Sequence, residues 1–102
     1  MSHDVKHEGW SNRETWIVNL WMSNEEPLYR YATELAREAR KVAKATGRKA
    51  PSILGQAMEE WMEEKARIHG RDEGFVNDLL NAALNRVNWT EIAKAWLDAT
   101  PA

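Results

Sequence analysis

The stretch GWSNRETWIVNLWMSNEEP, residues 9–27, decides how the chain folds. It carries three of the six tryptophans and two helix-start signals in quick succession. Ser11-Asn12-Arg13-Glu14 has the form of a capping box, in which the Ser11 hydroxyl accepts from the Glu14 amide and the Glu14 carboxylate reaches back. The helix predicted after it covers about 12–22, with Trp16, Ile17, Leu20 and Trp21 at i, i+1, i+4 and i+5 forming one apolar face. Asn12, Thr15 and Asn19 share a second face that is polar and uncharged. Amides and hydroxyls in that pattern either join an internal hydrogen-bond network or present a surface to a partner. The internal network is the expected role, because satisfied polar networks fix unique packing.

Ser23-Asn24-Glu25-Glu26-Pro27 is the second start signal. A Ser23 cap would put Pro27 at the fourth helical position, where the first intrahelical bond needs an N–H. Asn24 is therefore the expected cap, with Pro27 in the first turn and Glu25 and Glu26 favourably placed in the field of the helix dipole. The break is short, so the first two helices should meet at a tight corner.

Outward from this corner the whole chain reads as helix. A helix over about 25–46 carries Leu28, Tyr31, Leu35, Ala39 and Val42 on one stripe, broadened by Ala32, Ala36 and Ala43, and Gly47 ends it. After the loop Arg48-Lys49-Ala50-Pro51, a third helix opens at Pro51 or Ser52 and runs to about 69. Leu54, Ala57, Met58, Trp61, Met62 and Ile68 face inward, and Glu59, Glu60, Glu63 and Glu64 make its outer face acidic. Gly55 within this helix costs about 1 kcal/mol relative to alanine and suggests a close backbone contact. Arg71-Asp72-Glu73-Gly74 is a turn. Phe75, Val76, Leu79, Leu80, Ala83, Leu84 and Val87 follow at helical spacing, the most apolar run in the chain. Asn88-Trp89-Thr90-Glu91 repeats the cap-plus-glutamate signal before a last helix with Trp89, Ile92, Ala93, Trp96 and Leu97 inward. Residues 1–9 are polar and aperiodic and read as a mobile N-terminal arm, which leaves 10–102 as a single helical domain. The expected fold is all-α: a compact bundle of four to five helices, its first and last helices meeting through tryptophans.

Composition narrows the function. At 102 residues, 43% hydrophobic and 29% charged, the chain suits one soluble domain, and its net charge of −2 argues for no particular polyion. It has no cysteine, which removes disulfides, thiol nucleophiles and cysteine-bound zinc and fits a reducing cytoplasm. The N-terminus has no apolar secretory core, and no run is long enough to span a bilayer. His3 and His7 lie four apart beside Asp4 and Glu8, a spacing able to hold a metal on a helix, but a solvated tail is the simpler reading. No metal or cofactor is therefore expected. Phosphate-loop, dinucleotide-binding, zinc-protease and nucleophile-elbow motifs are missing, so the expectation is a protein that is not an enzyme. His69 closes a helix C-terminus, where a cation is favoured.

Two features invite partners. Arg37, Arg40, Lys41, Lys44, Arg48 and Lys49 face only the carboxylate of Glu38 across 37–49, a segment able to neutralise phosphates. A solvated face, or pairing with Glu59–Glu64, is the expected reading, ahead of an acidic protein partner and then of nucleic acid. The tryptophans are the second feature, since tryptophan is enriched at interface hot spots. Trp16, Trp61, Trp89 and Trp96 fall on apolar faces and read as core. Trp10 precedes the first helix and Trp21 flanks the corner, so either one, if exposed, would mark a contact.

The run Asn12-x-x-Thr15-Trp16-x-Val18-x-Leu20-Trp21, followed by Asn24-Glu25, resembles small phage and plasmid proteins that share a W-[ST]-N-x-x-T-W-x-V-x-L-W opening. Val87 to Ala93 is similar to their closing V-N-W-x-E-I-A segment. The resemblance covers both ends of the chain and carries over no catalytic or ligand residue. It implies a mobile-element gene acting in the cytoplasm of a bacterial host cell, and a partner in a host or phage protein complex. The leading expectation is thus a non-enzymatic protein-binding module, with an inhibitor of host defence of the anti-CRISPR or anti-restriction type as its sharpest form. The alternative is a nucleic-acid-binding regulator using 37–49. A homo-oligomeric structural protein, a homodimer in its simplest form, stands third. Asn12, Thr15, Trp16, Asn19 and Asn24 are expected to be structural.

Overall fold

The computed structural model describes residues 6–70 and 74–100, so the His3–Asp4 part of the proposed arm and the turn at 71–73 lie outside the described residues. The first helix, α1, spans Arg13–Asn24 and starts one residue later than the spacing predicts. Its cap is Asn12, not Ser11: the Asn12 backbone is extended, and its Oδ1 accepts the Thr15 N–H at 2.9 Å. Ser11 and Glu14 are drawn away from the expected capping box by partners elsewhere in the bundle. The buried face of α1 is also rotated from the expected one. Thr15 and Met22 are buried and Val18 packs on the core, at i, i+7 and i+3, while Leu20 and Trp21 lie exposed.

The second helix, α2, spans Glu26–Thr46, and only Glu25 separates it from α1. The predicted Asn24 cap is not made. Asn24 is the last residue of α1, and Glu25 stands at the cap without a side-chain bond, its N–H donating to the Trp21 carbonyl at 3.0 Å. Pro27 falls in the first turn at the second helical position, where its missing N–H costs no intrahelical bond. The break is shorter than expected, a single residue, because α1 continues through Asn24. At the far end Gly47 adopts the left-handed conformation (φ 77°), and its N–H donates to the Ala43 carbonyl at 2.9 Å. Ala32, Ala36 and Ala39 form the buried line of α2. The larger residues of the predicted stripe flank it, and Tyr31 is exposed, resting edge-on against Trp61 with ring centroids 4.6 Å apart.

That alanine line admits α3, Ala50–Gly70, whose Leu54, Met58 and Ala66 are buried. Ile68, expected inside, faces solvent. The last helix, α5 (Trp89–Ala99), buries Trp89, Ile92, Ala93, Trp96 and Leu97, the five positions the spacing selects. Its main neighbour is α3, not α1. Gly55 is the reason they come so close: a Cβ there would lie 3.3 Å from the Trp89 carbonyl oxygen. Among the described residues the result is an all-α bundle of five helices, its core shared by α2, α3 and α5 and completed by Met22 and Val87.

The helix not yet placed, α4 (Gly74–Leu84), breaks the pattern. It is the most apolar in the chain, yet none of its residues is buried, and its substantial packing is against α3 alone. No helix among the described residues is long and apolar enough to cross a membrane.

Candidate functional site

The uncharged face of α1 meets the start of α5, and the two helix N-termini cap one another. Each has its own asparagine cap: Asn12 accepts from Thr15 N–H, and Asn88 accepts from Glu91 N–H at 3.1 Å. In a capping box the glutamate at the third position returns to its own cap amide. Here those returns are crossed. Glu91 Oε1 accepts from the Ser11 N–H (3.2 Å) and the Ser11 hydroxyl (2.7 Å), and the Asn88 N–H donates to the Thr15 hydroxyl oxygen at 2.8 Å. The Thr15 hydroxyl donates in turn to Asn12 Oδ1 at 2.7 Å, and Asn12 Nδ2 donates to the Arg86 carbonyl at 2.7 Å. Glu14, freed from the box, lies 3.3 Å from the Arg86 guanidinium. One turn further along α1, the Trp96 indole N–H donates to Asn19 Oδ1 at 2.8 Å. Asn12, Thr15 and Asn19 are thus spent inside the molecule, and fully buried Thr15 is their hub.

Ahead of this network, residues 7–10 form a tight turn. His7 and Trp10 exchange two backbone hydrogen bonds at 2.8 Å, and the His7 ring lies against Trp16 with centroids 4.4 Å apart. No group of three or more metal-ligating side chains occurs among the described residues.

The basic segment divides. Arg37 pairs with Glu34, and Arg40 turns inward to cap α5, donating to the Thr100 carbonyl at 3.1 Å and to the Leu97 carbonyl. Pairing with Glu59–Glu64 does not form among the described residues: the ion pair of that acidic run is Glu64 with Arg67 on its own helix. Lys41, Lys44, Arg48 and Lys49 remain exposed. The tryptophans divide as well. Trp10 packs on the core, whereas Trp21 is 58% exposed on the outer side of α1.

A groove of about 1000 Å³ runs beside the crossed caps between the acidic side of α3 and the start of α5. Glu59, Glu60 and Glu63 form one wall, and Asn88, Trp89 and Thr90 the other. A smaller groove of about 410 Å³ separates Glu60, Glu63 and Glu64 from Asn77 and Asn81 on α4. Two buried polar atoms have no partner among the described residues, Trp89 Nε1 and Asn77 Oδ1.

The feature that periodicity did not reveal is the outer face of α4. Phe75 is 74% exposed and Leu79 62%, with Ala82 and Ala83 beside them and Leu80 at the edge. These positions fall at i, i+4, i+7 and i+8, a continuous apolar stripe turned to solvent. Val76, Asn77 and Leu84 take the side towards α3. Helical spacing put Phe75, Leu79 and Ala83 in one apolar set with Val76 and Leu84 and did not separate the outward side from the one against α3, which depends on α4 having one neighbouring helix instead of two.

Fold and surface together define a small all-α bundle with an uncovered apolar helix and an internally consumed polar face. The match to known families covers nearly the whole chain: residues 3–98 fit DUF7249, a family of unknown function, and the chain belongs to it. No curated protein and no solved structure matches it.

Proposed function

We propose that the chain is a non-enzymatic protein-binding module whose contact surface is the outer face of α4. One observation carries this reading: the most apolar helix of the bundle buries none of its residues. Its exposed side chains amount to roughly 400 Å², within the range of surface patches that serve as interaction sites. Folding gains nothing from leaving Phe75 and Leu79 in water, and a protein surface laid over them would recover about 25 cal/mol for each Å² covered. The resemblance to phage and plasmid proteins supports the narrower form, a mobile-element protein that acts in a bacterial cytoplasm on a host defence complex. Affinity capture from bacterial lysate tests it, comparing the wild type with Leu79→Lys. A stoichiometric partner held by the wild type and lost from the variant is expected; equal capture by both would overturn the assignment of α4.

The exposure of Lys41, Lys44, Arg48 and Lys49 favours a second reading, a nucleic-acid-binding regulator. Four phosphate contacts would give log affinity a slope of roughly −3 to −4 against log salt, and neutralising the four cations should abolish binding. Binding that survived neutralisation would exclude this surface.

A further inference from the structure

We propose that the occupant of the outer α4 face is a second copy of this chain, docked antiparallel about a two-fold axis passing beside Leu79. The inference rests on the reading that a protein covers that face and names which protein it is. Shape is the first argument. Along the stripe the bulk lies at the start, in Phe75, and the space lies at the end, in Ala82 and Ala83, with Leu79 midway. Antiparallel pairing about Leu79 brings residues equally distant from it into opposition. Phe75 of each copy then lies over Ala83 of the other, and Leu79 meets Leu79. Bulk fills space at both ends, the self-complementarity that a two-fold interface requires.

Charge is the second argument. Asp78 is the one charged residue among the eleven of α4. It sits one residue from Leu79, about 100° around the helix, so in the pair it lies at the solvated rim. A neutral face suits a copy of itself better than a partner selected by charge, since like meets like without an unpaired ion.

Area is the third. Two copies would cover roughly 800 Å² through these side chains, at the low end of specific interfaces. The pairing is therefore a moderate one, visible at micromolar concentration and not obligatory for folding.

The absence of cysteine from the sequence makes the geometry directly testable. Antiparallel helices roughly 8–10 Å apart put the two copies of residue 79 within disulfide reach, so Leu79→Cys should oxidise rapidly to a covalent dimer. Asp98→Cys, exposed on α5, should remain monomeric under the same conditions. In sedimentation equilibrium the wild type should approach twice the chain mass at roughly 100 μM, while Phe75→Asp and Leu79→Lys stay at one chain mass with unchanged helical circular dichroism. A wild type that sediments as one chain at that concentration, with Leu79→Cys oxidising no faster than Asp98→Cys, overturns the second copy. The capture comparison separates the two readings. A monomer whose Leu79→Lys variant loses an unrelated partner leaves α4 a docking face for that partner, whereas a monomer with unchanged capture removes both.

Discussion

Thr15 offers the sharpest test of what holds the bundle together, because two effects predict opposite orders for two small substitutions. The residue is fully buried, and its hydroxyl donates to Asn12 Oδ1 while accepting from Asn88 N–H. Thr15→Val keeps the shape, trades the hydroxyl for a methyl and leaves the Asn88 amide without its acceptor. Thr15→Ser keeps both hydrogen bonds and removes one methyl. If apolar burial dominated here, valine would equal or exceed the wild type, and serine would lose about 0.8 kcal/mol, the worth of one buried methylene. If the crossed caps dominate, valine forfeits two bonds of about 1 kcal/mol each, and the stranded N–H takes the loss to roughly 2–3 kcal/mol. The bundle's geometry favours the second outcome, because the Thr15 side chain is fully buried and water does not replace its lost partners. Urea unfolding followed by tryptophan fluorescence measures this directly, with the slope of the transition expected to stay constant. The expected stability order is wild type, then Thr15→Ser, then Thr15→Val, with the valine variant melting roughly 8–20 °C below the wild type. A valine variant within about 0.5 kcal/mol of the wild type, or a serine variant less stable than valine, would refute the claim that the hydroxyl joins the two helices.

Other substitutions separate the remaining contacts. Gly55→Ala should destabilise by roughly 1–2 kcal/mol in thermal melts despite alanine's helix propensity, since its Cβ would press on the Trp89 carbonyl, whereas Gly74→Ala, with open space around it, should be neutral or stabilising by a few tenths. Gly47→Ala should cost about 1–2 kcal/mol in the same assay through left-handed strain. Arg40→Ala should cost roughly 1–3 kcal/mol by leaving the Leu97 and Thr100 carbonyls without their charged donor, and Arg40→Lys, which lacks the forked guanidinium, should recover only part of that loss. Trp96→Phe should destabilise by at least about 1 kcal/mol through its bond to Asn19, while Trp21→Phe at the exposed site should change urea stability by less than about 0.5 kcal/mol.

The sequence makes the helices legible because their signals are local. Gly47 marks an end, Asn88 a start, and the spacing of Trp89, Ile92, Ala93, Trp96 and Leu97 sets the buried face of α5, all within a few residues of chain. Gly55 likewise signals the close approach to Trp89. Errors arise where distant segments compete for the same groups. Ser11 and Glu14 satisfy a capping box on paper, but Glu91, distant in sequence, is a better acceptor for Ser11, so the cap passes to Asn12. The rotation of α1 follows, since Thr15 and Asn19 must face α5 and Leu20 and Trp21 are carried outward. Asn24 loses the second cap because α1 retains it as helix. The direction of α4 is of the same kind: an apolar stripe states what could be covered, and only the arrangement of the other helices decides whether they cover it.

The most direct test of an α4 docking face is backbone amide NMR of the wild type along a dilution series. Concentration-dependent shifts confined to the outer positions of α4, centred on Phe75, Leu79, Ala82 and Ala83, are the expected result. Shifts centred instead on Trp21, or on Lys41–Lys49, with the α4 amides unmoved, would contradict it.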